Sequence, residues 1–566
     1  MGCCGTKEEV TPAPLPGGQP VGREGGQIVT RDAVREKAAA AAERRMEAAQ
    51  RRGQQGEKSK MKSATPLAPA NGRTRELNDP RAVASRAAAA EASLALELAR
   101  GLAAHGLPCF RVGGAAATTL RSPPQLHAQI CASARRAERR VVLSSLYVGG
   151  GALSQQLLRS LAHAGGREVV LCTDFHRAHR RDADGSNAVE RLRWLCAEAR
   201  GAQVCLFRHP AAPPPWLEAR LPREISELCG VLHAKVCVFD DDVLLTGANL
   251  SEDYFTSRQD RGLLLRDVPH LADFYAQLLG VFAARSHRLH ASGAIEPPRE
   301  HTSPAAARAE LGHAVRGVLA RAREAHPPPD GSATHDERAC WVLPAVQLAA
   351  AGITCESESI EWLLRRASSH TPLPLTLCSP YLNLPRRFVD ALLATPPLPP
   401  HASPPPSPAS SDARATVLVA SPTASSFWGA RGVRSLVPQV YSALEQAFWR
   451  EVAGRRVNIA HFDHARRGGP MTFHAKGLWL WPPPPASLPV ATLVCSSNLG
   501  ERSVHRDVEM SAWLVTTDTT LRQALQEEQR CLLHGAKSVD ASTYHAKEHR
   551  VGSIASVLSR WLRRWC

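Results

Sequence analysis

The stretch that decides the fold of this chain reads Val231-Leu232-His233-Ala234-Lys235-Val236-Cys237-Val238-Phe239-Asp240. A second His-Ala-Lys triplet begins at His474, and each triplet is followed by two apolar runs and then by an asparagine, Asn249 or Asn498. A carboxylate lies at the same spacing beyond each asparagine, Asp260 in the first copy and Glu509 in the second. The repeated set of His, Lys, Asn and acid predicts two halves of one phosphate-handling site.

Bulk properties narrow the class of protein. The chain has 566 residues and a formal net charge of +16, which predicts two or three domains and a phosphate-rich partner such as nucleic acid or an anionic membrane. Its 15 cysteines are scattered without a CxxC pair, which argues against a disulfide framework or a zinc site. No apolar run is long enough for a spanning helix, so membrane contact is expected to be peripheral.

The N-terminal region, residues 1–85, is rich in Gly, Pro, Ala and charge, and we predict a mostly disordered basic tail. Residues 35–45 form an Arg/Ala-rich stretch that predicts a solvated helix. That stretch resembles the helix by which adaptor proteins bind the valosin-containing AAA ATPase. Gly2, Cys3 and Cys4 fit a pattern for N-myristoylation and palmitoylation.

The remaining chain repeats one order of elements, and an α/β fold class is predicted from it. Apolar runs at 141–147 and 168–172 predict strands, and the helical spacing of 153–163 between them predicts a parallel pair. Runs at 375–381 and 415–419 repeat the order. The predicted domains are a first unit at 86–290, a linker at 291–335 and a second unit at 336–566, which includes a Pro-rich loop at 396–411 and a basic amphipathic helix at its C-terminus.

Each residue type of the repeated set suits phosphate chemistry. Lys235 and Lys476 can cancel the charge of a phosphodiester, most of all in the transition state, and an asparagine amide can donate to the same oxygens. One histidine can attack phosphorus while the other transfers protons, and a carboxylate behind each ring can orient it. The sequence leaves open which acid serves which histidine. We see no cluster of metal ligands and expect neither a metal nor another cofactor.

A third triplet, His545-Ala546-Lys547, serves as an internal comparison. It is followed by Glu548-His549-Arg550, without a strand pattern or an asparagine. We predict that it lies on the surface.

The motif His233-x-Lys235-x4-Asp240-x6-Gly247 resembles the HKD motif of the phospholipase D superfamily. Longer stretches resemble the eukaryotic, mitochondrial type of phosphatidylglycerophosphate synthase: Gly247-Ala248-Asn249-Leu250-Ser251, Arg258-Gln259-Asp260-Arg261, Phe427-Trp428-Gly429-Ala430-Arg431-Gly432 and Ser503-Val504-His505-Arg506-Asp507. The resemblance covers roughly residues 100 to 566. It implies two phospholipase D-like α/β sandwich units with mixed sheets, packed with the active site between them. The second motif departs from the pattern, because Trp481 stands where the superfamily has Asp.

The resemblance also implies the chemistry. CDP-diacylglycerol would donate a phosphatidyl group to sn-glycerol 3-phosphate through a phosphohistidine, with His233 as the nucleophile and His474 as the acid and base, or the reverse. The motif residues Lys235, Asp240 and Lys476 would belong to the catalytic set, and the phosphate ligands would include Asn249, Asn498 and Ser496. Asp260 and Glu509 would orient the imidazoles. Among the basic candidates for the acceptor phosphate we favour Arg258 and Arg431.

Two other functions remain open at this point. The same chemistry with water as acceptor gives a phospholipase D or a nuclease, although the longer stretches favour the transferase and no nucleic-acid partner is expected. The second alternative is that the chain is an inactive, lipid-anchored adaptor for the AAA ATPase. The expected location is peripheral on the mitochondrial inner membrane, by resemblance, or another membrane through lipids on Gly2, Cys3 and Cys4.

Overall fold

The structure is a computed structural model. It describes residues 23–24, 27–28, 80–163, 166–182, 184–218, 220, 223–298, 303–330, 338–369, 371–394, 414–463, 471–561 and 563. The chain divides into two compact units, Met1–Val83 and Ala84–Cys566. In the first, two short strands, β1 (Arg23–Glu24) and β2 (Gln27–Ile28), pair antiparallel. The predicted lipidation site, the stretch 35–45 and the loop 396–411 lie outside the described residues.

The second unit contains two large mixed sheets. In chain order its strands are β3 (Phe110–Gly113), β4 (Ala117–Leu120), β5 (Arg140–Ser145), β6 (Glu168–Asp174), β7 (Gln203–Phe207), β8 (Val236–Phe239), β9 (Asp242–Thr246), β10 (Arg258–Gln259), β11 (Gly262–Leu265), β12 (His287–Leu289), β13 (Ile295–Glu296), β14 (Ala339–Gln347), β15 (Leu375–Ser379), β16 (Ala415–Ala420), β17 (Val457–Phe462), β18 (Thr472–Phe473), β19 (Gly477–Leu480), β20 (Ala491–Cys495), β21 (Glu509–Thr516) and β22 (Lys537–Ser538).

The helices pack around these sheets. They are α1 (Pro80–Ala103), α2 (Pro123–Arg136), α3 (Ala152–Ala162), α4 (Phe175–His179), α5 (Ala188–Glu198), α6 (Pro215–Glu218), α7 (Arg223–Leu228), α8 (Glu252–Thr256), α9 (Pro269–Ala283), α10 (Pro304–Ala325), α11 (Cys355–Ala367), α12 (Arg386–Leu392), α13 (Leu436–Val452), α14 (Glu501–His505), α15 (Thr519–Leu533) and α16 (Ser553–Trp561).

The two sheets have nearly the same strand order. The first runs β13-β12-β7-β6-β5-β8-β9-β11-β4 and the second β22-β17-β16-β15-β19-β20-β21-β14-β3. In each, three strands are parallel, β5 to β7 in the first and β15 to β17 in the second, and the strand after the His-Ala-Lys triplet joins them antiparallel. The predicted α/β class, in which each of two similar halves contributes one mixed sheet, is confirmed.

The first sheet is buried on both faces, which explains why its strands are continuous apolar runs. Neighbouring residues of β5 point to opposite sides: Val142 packs into the core that continues into the second sheet, whereas Val141 and Leu143 pack into a separate core under α2, α3 and α5. Both cores hold the ends of the central strands in place. The site described below lies where those ends meet.

Two predicted boundaries need correction. Strand β3 pairs with β14 of the second sheet, and α1 contacts the second half through Glu91–Arg522 and Glu97–Arg366 ion pairs. The segment before β4 therefore joins the sheet of the second half, although Phe110 also contacts Phe274 of α9 in the first half. The predicted linker at 291–335 contains β13 and the 22-residue helix α10, whose apolar residues are buried, so it is a packed connection.

Candidate active site

Backbone hydrogen bonds bring the halves together at the motif. The His233 amide donates to the Val508 carbonyl at 2.9 Å, and the His474 amide donates to the Gln259 carbonyl at 2.8 Å. Both triplets lie in the extended segments just before β8 and β19. Because Val508 and Gln259 immediately precede the two acids, each histidine lies beside the acid of the other half.

The side chains pair in the same way, each histidine with the acid of the other half. Nδ1 of His233 lies 2.9 Å from both carboxylate oxygens of Glu509, and Nδ1 of His474 lies 2.6 Å from Oδ2 of Asp260. All four residues are buried. A carboxylate at Nδ1 fixes the tautomer and the orientation of the ring and leaves Nε2 for chemistry. The structure thus answers the question that the sequence left open about which acid accompanies which ring.

The two lysines are held behind the imidazoles. The Lys235 ammonium donates to the His233 carbonyl at 2.6 Å, and the Lys476 ammonium donates to the His474 carbonyl at 2.6 Å and lies 3.2 Å from Oδ2 of Asp260. Burial lowers the pKa of Lys235 to about 7, and it lowers the pKa of Lys476. Gly247 makes room for this arrangement, because a Cβ there would lie 2.4 Å from Oδ1 of Asp260.

The imidazoles are neutral in this environment. Burial is the largest cause that lowers the pKa of His233 and of His474 well below the ordinary value, and the adjacent lysine of each triplet adds to it. The pKa values of the two acids, Glu509 and Asp260, shift in opposite directions. Burial raises the pKa of Glu509 to about 7. Burial alone would also raise the pKa of Asp260, but the Lys476 charge and the His474 hydrogen bond outweigh it and the pKa is lowered.

A second buried acid lies behind Glu509. Glu356, in the first turn of α11, is buried, and burial together with the charge of Glu509 raises its pKa to about 8. Two buried carboxyl groups so close together cannot both ionise readily at neutral pH. The sequence analysis did not identify Glu356, since nothing in its local pattern marks it.

Tyr254 makes the two halves of the site unequal. Its hydroxyl lies 3.1 Å from Nε2 of His474 and accepts a hydrogen bond of 3.1 Å from the Asn249 amide. Tyr254 follows Asn249 at the spacing at which Ser503 follows Asn498, so the sequence records this difference between the copies as Tyr against Ser. The carboxamide oxygens of Asn249 and Asn498 are buried and have no hydrogen-bond partner among the described residues.

A cavity of about 440 Å³ opens beside His233. One part of its wall is charged: Arg177, Arg180 and Arg502 lie there together with two acids, Glu227, which pairs with Arg180, and Asp507, which pairs with Arg502. Another part is apolar, and the residues that form it are Leu436, Val437, Val440, Phe427 and Leu558. Asn498 also lines this space, so the His233 side of the site is the side that faces the cavity.

The predicted basic and hydroxyl ligands lie in different places. Arg258 lies over the Tyr254 ring at 4.6 Å, and its charge lowers the pKa of His474, which places it on the His474 side. Ser496 donates to Oε2 of Glu509 at 2.5 Å, so it lies behind the acid and not in the cavity. Arg431 is exposed and is not among the described residues that line the cavity. His545 and Lys547 of the third triplet are exposed, as predicted.

Asp240 lies at the other end of β8 from the imidazoles, which corrects its place in the predicted catalytic set. Its carboxylate accepts the amides of Glu138, Arg139 and Arg140 at 2.8, 2.8 and 3.0 Å. The registers of β5 with β8 and of β15 with β19 equate these positions with Pro372, Leu373 and Pro374, and Asp240 with Trp481. Prolines have no amide to satisfy, and Leu373 donates to the Ala367 carbonyl. This explains why the second motif tolerates a tryptophan.

Among the described residues, the fold brings together one group of potential metal ligands, which the sequence did not reveal. Ligand atoms of His233, Asp507 and Glu509 lie within 4.8 Å of one another. The carboxylates already have partners, because Glu509 binds His233 and Asp507 accepts from Arg502 at 3.0 Å and from the Val231 amide at 3.1 Å. The charges of Lys235 and Lys476 act on Glu509 as well. This donor set fits an imidazole–carboxylate pair better than a divalent cation.

Comparisons with known proteins show the family of the chain. No protein-family model matches the chain. It is 31 % identical over 479 residues to a Bos taurus protein and 30 % identical over 484 residues to one from Gallus gallus, and both alignments cover 79 % of this chain and 82 % of the relative. Both relatives are named "CDP-diacylglycerol--glycerol-3-phosphate 3-phosphatidyltransferase, mitochondrial".

Among solved structures, phosphatidylserine synthase of Haemophilus influenzae Rd KW20 superposes with a TM-score of 0.57. It is 18 % identical, and the match covers 83 % of this chain and 97 % of that one. This likeness shows a shared fold. The extent of the sequence identity shows more: the chain belongs to the family of CDP-diacylglycerol–glycerol-3-phosphate 3-phosphatidyltransferases.

Proposed function

We propose that this chain transfers the phosphatidyl group of CDP-diacylglycerol to sn-glycerol 3-phosphate, giving phosphatidylglycerophosphate and CMP, in phosphatidylglycerol and cardiolipin synthesis. The observation that carries the proposal is the pair of imidazoles, each oriented by the acid of the other half, with a cavity of charged and apolar walls beside His233. The names of the relatives supply the two substrates.

In the first step, Nε2 of His233 attacks the phosphorus that carries diacylglycerol. The new P–N bond replaces the bond from phosphorus to the bridging oxygen of the diphosphate, and CMP leaves with a proton from His474. The access of His233 to the cavity and the contact of Tyr254 with Nε2 of His474 support this assignment of roles. The low pKa of His233 keeps its Nε2 unprotonated and nucleophilic.

In the second step, the hydroxyl of glycerol 3-phosphate attacks the same phosphorus. Its proton goes to His474, the P–N bond breaks, and His233 returns to its starting form. His474 must hold a proton in the first step, although burial favours its neutral form. The charge of a bound diphosphate raises the pKa of a nearby imidazole and supplies that proton-holding state.

The cations divide between the two substrates. Lys235, Lys476 and the amides of Asn249 and Asn498 would hold the reacting phosphoryl group. Arg177, Arg180 and Arg502 on the cavity wall would hold the donor diphosphate. Arg258, on the His474 side, would bind the acceptor phosphate near the base that activates its hydroxyl.

The test is CMP release by purified protein from CDP-diacylglycerol in mixed micelles, with and without glycerol 3-phosphate. We expect release to depend on the acceptor and to be lost in His233→Ala and His474→Ala. We expect Tyr254→Phe to slow turnover. Tyr544→Phe is its control, because it removes a half-buried hydroxyl that donates to Glu445 at 3.0 Å. Release that is equally fast without acceptor would mean a hydrolase, and release in His233→Ala equal to wild type would refute the mechanism.

The roles of the two histidines need a separate measurement. We expect acid-quenched protein, incubated with CDP-diacylglycerol alone, to carry a phosphatidyl adduct on the peptide that contains His233. An adduct on His474 would reverse the assignment. Arg258→Met should raise the KM for glycerol 3-phosphate at least tenfold, the loss expected for one charged contact, without preventing the adduct.

The proposed location is peripheral on the mitochondrial inner membrane, because the relatives are named mitochondrial. In the described part of the chain, no helix combines the length and the apolar character needed to cross a bilayer. Lipidation at Gly2, Cys3 and Cys4 and binding of the AAA ATPase through residues 35–45 stay predictions from the sequence.

A further inference from the structure

We propose that α16 and the loop around Trp428 form one docking surface for an anionic bilayer, and that this surface delivers the lipid donor into the cavity beside His233. The docking part stands on exposure and charge alone. The delivery part rests on the proposed function. We define the docking surface as Trp428, Ile554, Val557 and Trp561 with the exposed basic residues around them.

Exposed apolar side chains concentrate at this surface. Six large hydrophobic residues are exposed in the described part of the chain, and four of them belong to it: Trp428 at 51 %, Ile554 at 67 %, Val557 at 56 % and Trp561 at 79 %. Single exposed hydrophobics are ordinary, but a cluster marks an interaction site. Trp194 and Trp216, the other two, lie elsewhere in the sequence on α5 and α6.

The face of α16 divides cleanly. Ala555 and Ser559 are buried against the protein, whereas Ile554, Val557 and Trp561 follow one another at helical spacing on the exposed side. A helix that packed fully on the core would bury those three. The apolar stripe is therefore left without a partner in the chain that the structure describes.

Two separate segments meet at this surface. Trp428 lines a groove together with Arg550 and Gly552, which directly precede α16. The Gly552 amide donates to Gln439 of α13 at 3.1 Å, which fixes the start of α16 beside that helix. At the other end, the Arg563 carbonyl accepts from Asn383, a residue of the cavity wall, at 2.6 Å. The surface is thus attached to the rim of the cavity.

Charge identifies the partner. Over residues 428–435 and 547–561, the exposed charged residues are one acid, Glu548, and five bases, which are Arg431, Arg434, Lys547, Arg550 and Arg560. Trp and aliphatic residues rimmed by Lys and Arg are the pattern of helices that lie in the interface of an anionic membrane. This gives Arg431 a role other than the predicted contact with the acceptor.

The cavity opens toward the same side. Leu558 of α16 lines the cavity with Leu436, Val437 and Val440 of α13. The same short helix therefore shows one side to the bilayer and another to the catalytic space. A lipid whose head group reaches His233 can leave its acyl chains along this apolar wall and in the membrane.

The test is sedimentation with vesicles of phosphatidylcholine containing phosphatidylglycerol, against vesicles of phosphatidylcholine alone. All proteins carry His233→Ala so that no lipid is turned over. Trp428→Ala with Trp561→Ala should weaken binding at least tenfold, since an interfacial indole removes a large apolar area from water. The matched control, Trp194→Ala with Trp216→Ala, should bind like the parent protein.

A second pair of substitutions tests the contribution of the basic residues to membrane binding. Arg550→Glu with Arg560→Glu should weaken binding to the anionic vesicles and leave binding to phosphatidylcholine unchanged. Unchanged binding of the Trp428/Trp561 variant, or equal loss in the Trp194/Trp216 control, would overturn the inference. So would a change from oligomer to monomer by light scattering in the Trp428/Trp561 variant, because the surface would then bind a second copy. Vesicle binding needs no turnover, so a failure of the proposed function would show in CMP release alone.

Discussion

Replacing Arg261 should destabilise the contact between the two halves more than any change at the surface. Its guanidinium is buried and donates to both carboxylate oxygens of Glu528 at 2.9 and 2.8 Å, to the Leu493 carbonyl at 2.7 Å and to Thr492 Oγ1 at 3.0 Å. It also lies 3.7 Å from the centre of the Trp479 ring. One side chain of the first half thus holds β20 and α15 of the second.

The expected loss of unfolding free energy follows from the hydrogen bonds that Glu528 keeps after the substitution. Arg261→Met leaves the buried Glu528 carboxylate with the Trp479 indole as its described donor, at 3.2 Å. Removing one partner of a buried ion pair costs about 3–5 kcal/mol. Arg261→Met with Glu528→Gln removes both charges and keeps an acceptor for the indole, so the double variant should lose about 2 kcal/mol less than Arg261→Met alone.

The assay is urea unfolding, with midpoints compared at equal slopes. CMP release should fall in Arg261→Met as well, because loss of the side-chain anchor shifts the backbone amide of residue 261. That amide donates to Oδ1 of Asp260 at 2.8 Å, and Asp260 orients His474. A loss below about 1 kcal/mol, the value of an ordinary exposed ion pair, would refute the reasoning. So would a double variant that loses the sum of the two single losses.

Two further predictions concern acids outside the reacting pair. The pKa of Glu356 is raised to about 8, so the folded state keeps a proton that the unfolded chain releases near pH 4.5, and the stability of the wild type falls as pH rises between those values. Glu356→Gln should therefore gain stability relative to wild type by up to about 1.4 kcal/mol per pH unit in that window. A constant difference between the two proteins in thermal unfolding from pH 5 to 8 would contradict this. Asp240→Asn keeps one side-chain acceptor for three amides, and asparagine tolerates the left-handed φ of 53° at that residue. The substitution should therefore lower the free energy of unfolding by about 1–3 kcal/mol and leave CMP release unchanged. Loss of CMP release at unchanged stability would mean that Asp240 takes part in the reaction.

The sequence was informative where a local pattern reports a local environment. Continuous apolar runs predicted β5, β6, β15 and β16, because strands covered on both faces have no polar side. The repeated His, Lys, Asn and acid predicted the members of the site, because the two copies control for chance. The exposed third triplet, which lacks the following strand and asparagine, shows that the context and not the triplet carries the information.

The sequence failed where a contact joins distant segments. It placed residues 86–113 with the first half, yet β3 pairs with β14 in the second sheet, because a four-residue strand reads the same in either sheet. It grouped Asp240 with the catalytic residues and Ser496 with the phosphate ligands, yet Asp240 binds amides at the start of β5 and Ser496 binds Glu509. Motif membership does not report where a side chain points.

By itself, the sequence determined that the chain has two similar halves and which residue types each half supplies to the chemistry. Only the tertiary structure decided that Glu509 serves His233, that Asp260 serves His474, and that Tyr254 contacts one imidazole and not the other. The physical reason is that these pairings depend on backbone hydrogen bonds between segments more than 200 residues apart, among them His233 to Val508 and His474 to Gln259. Side-chain periodicity within a strand carries no record of such a register.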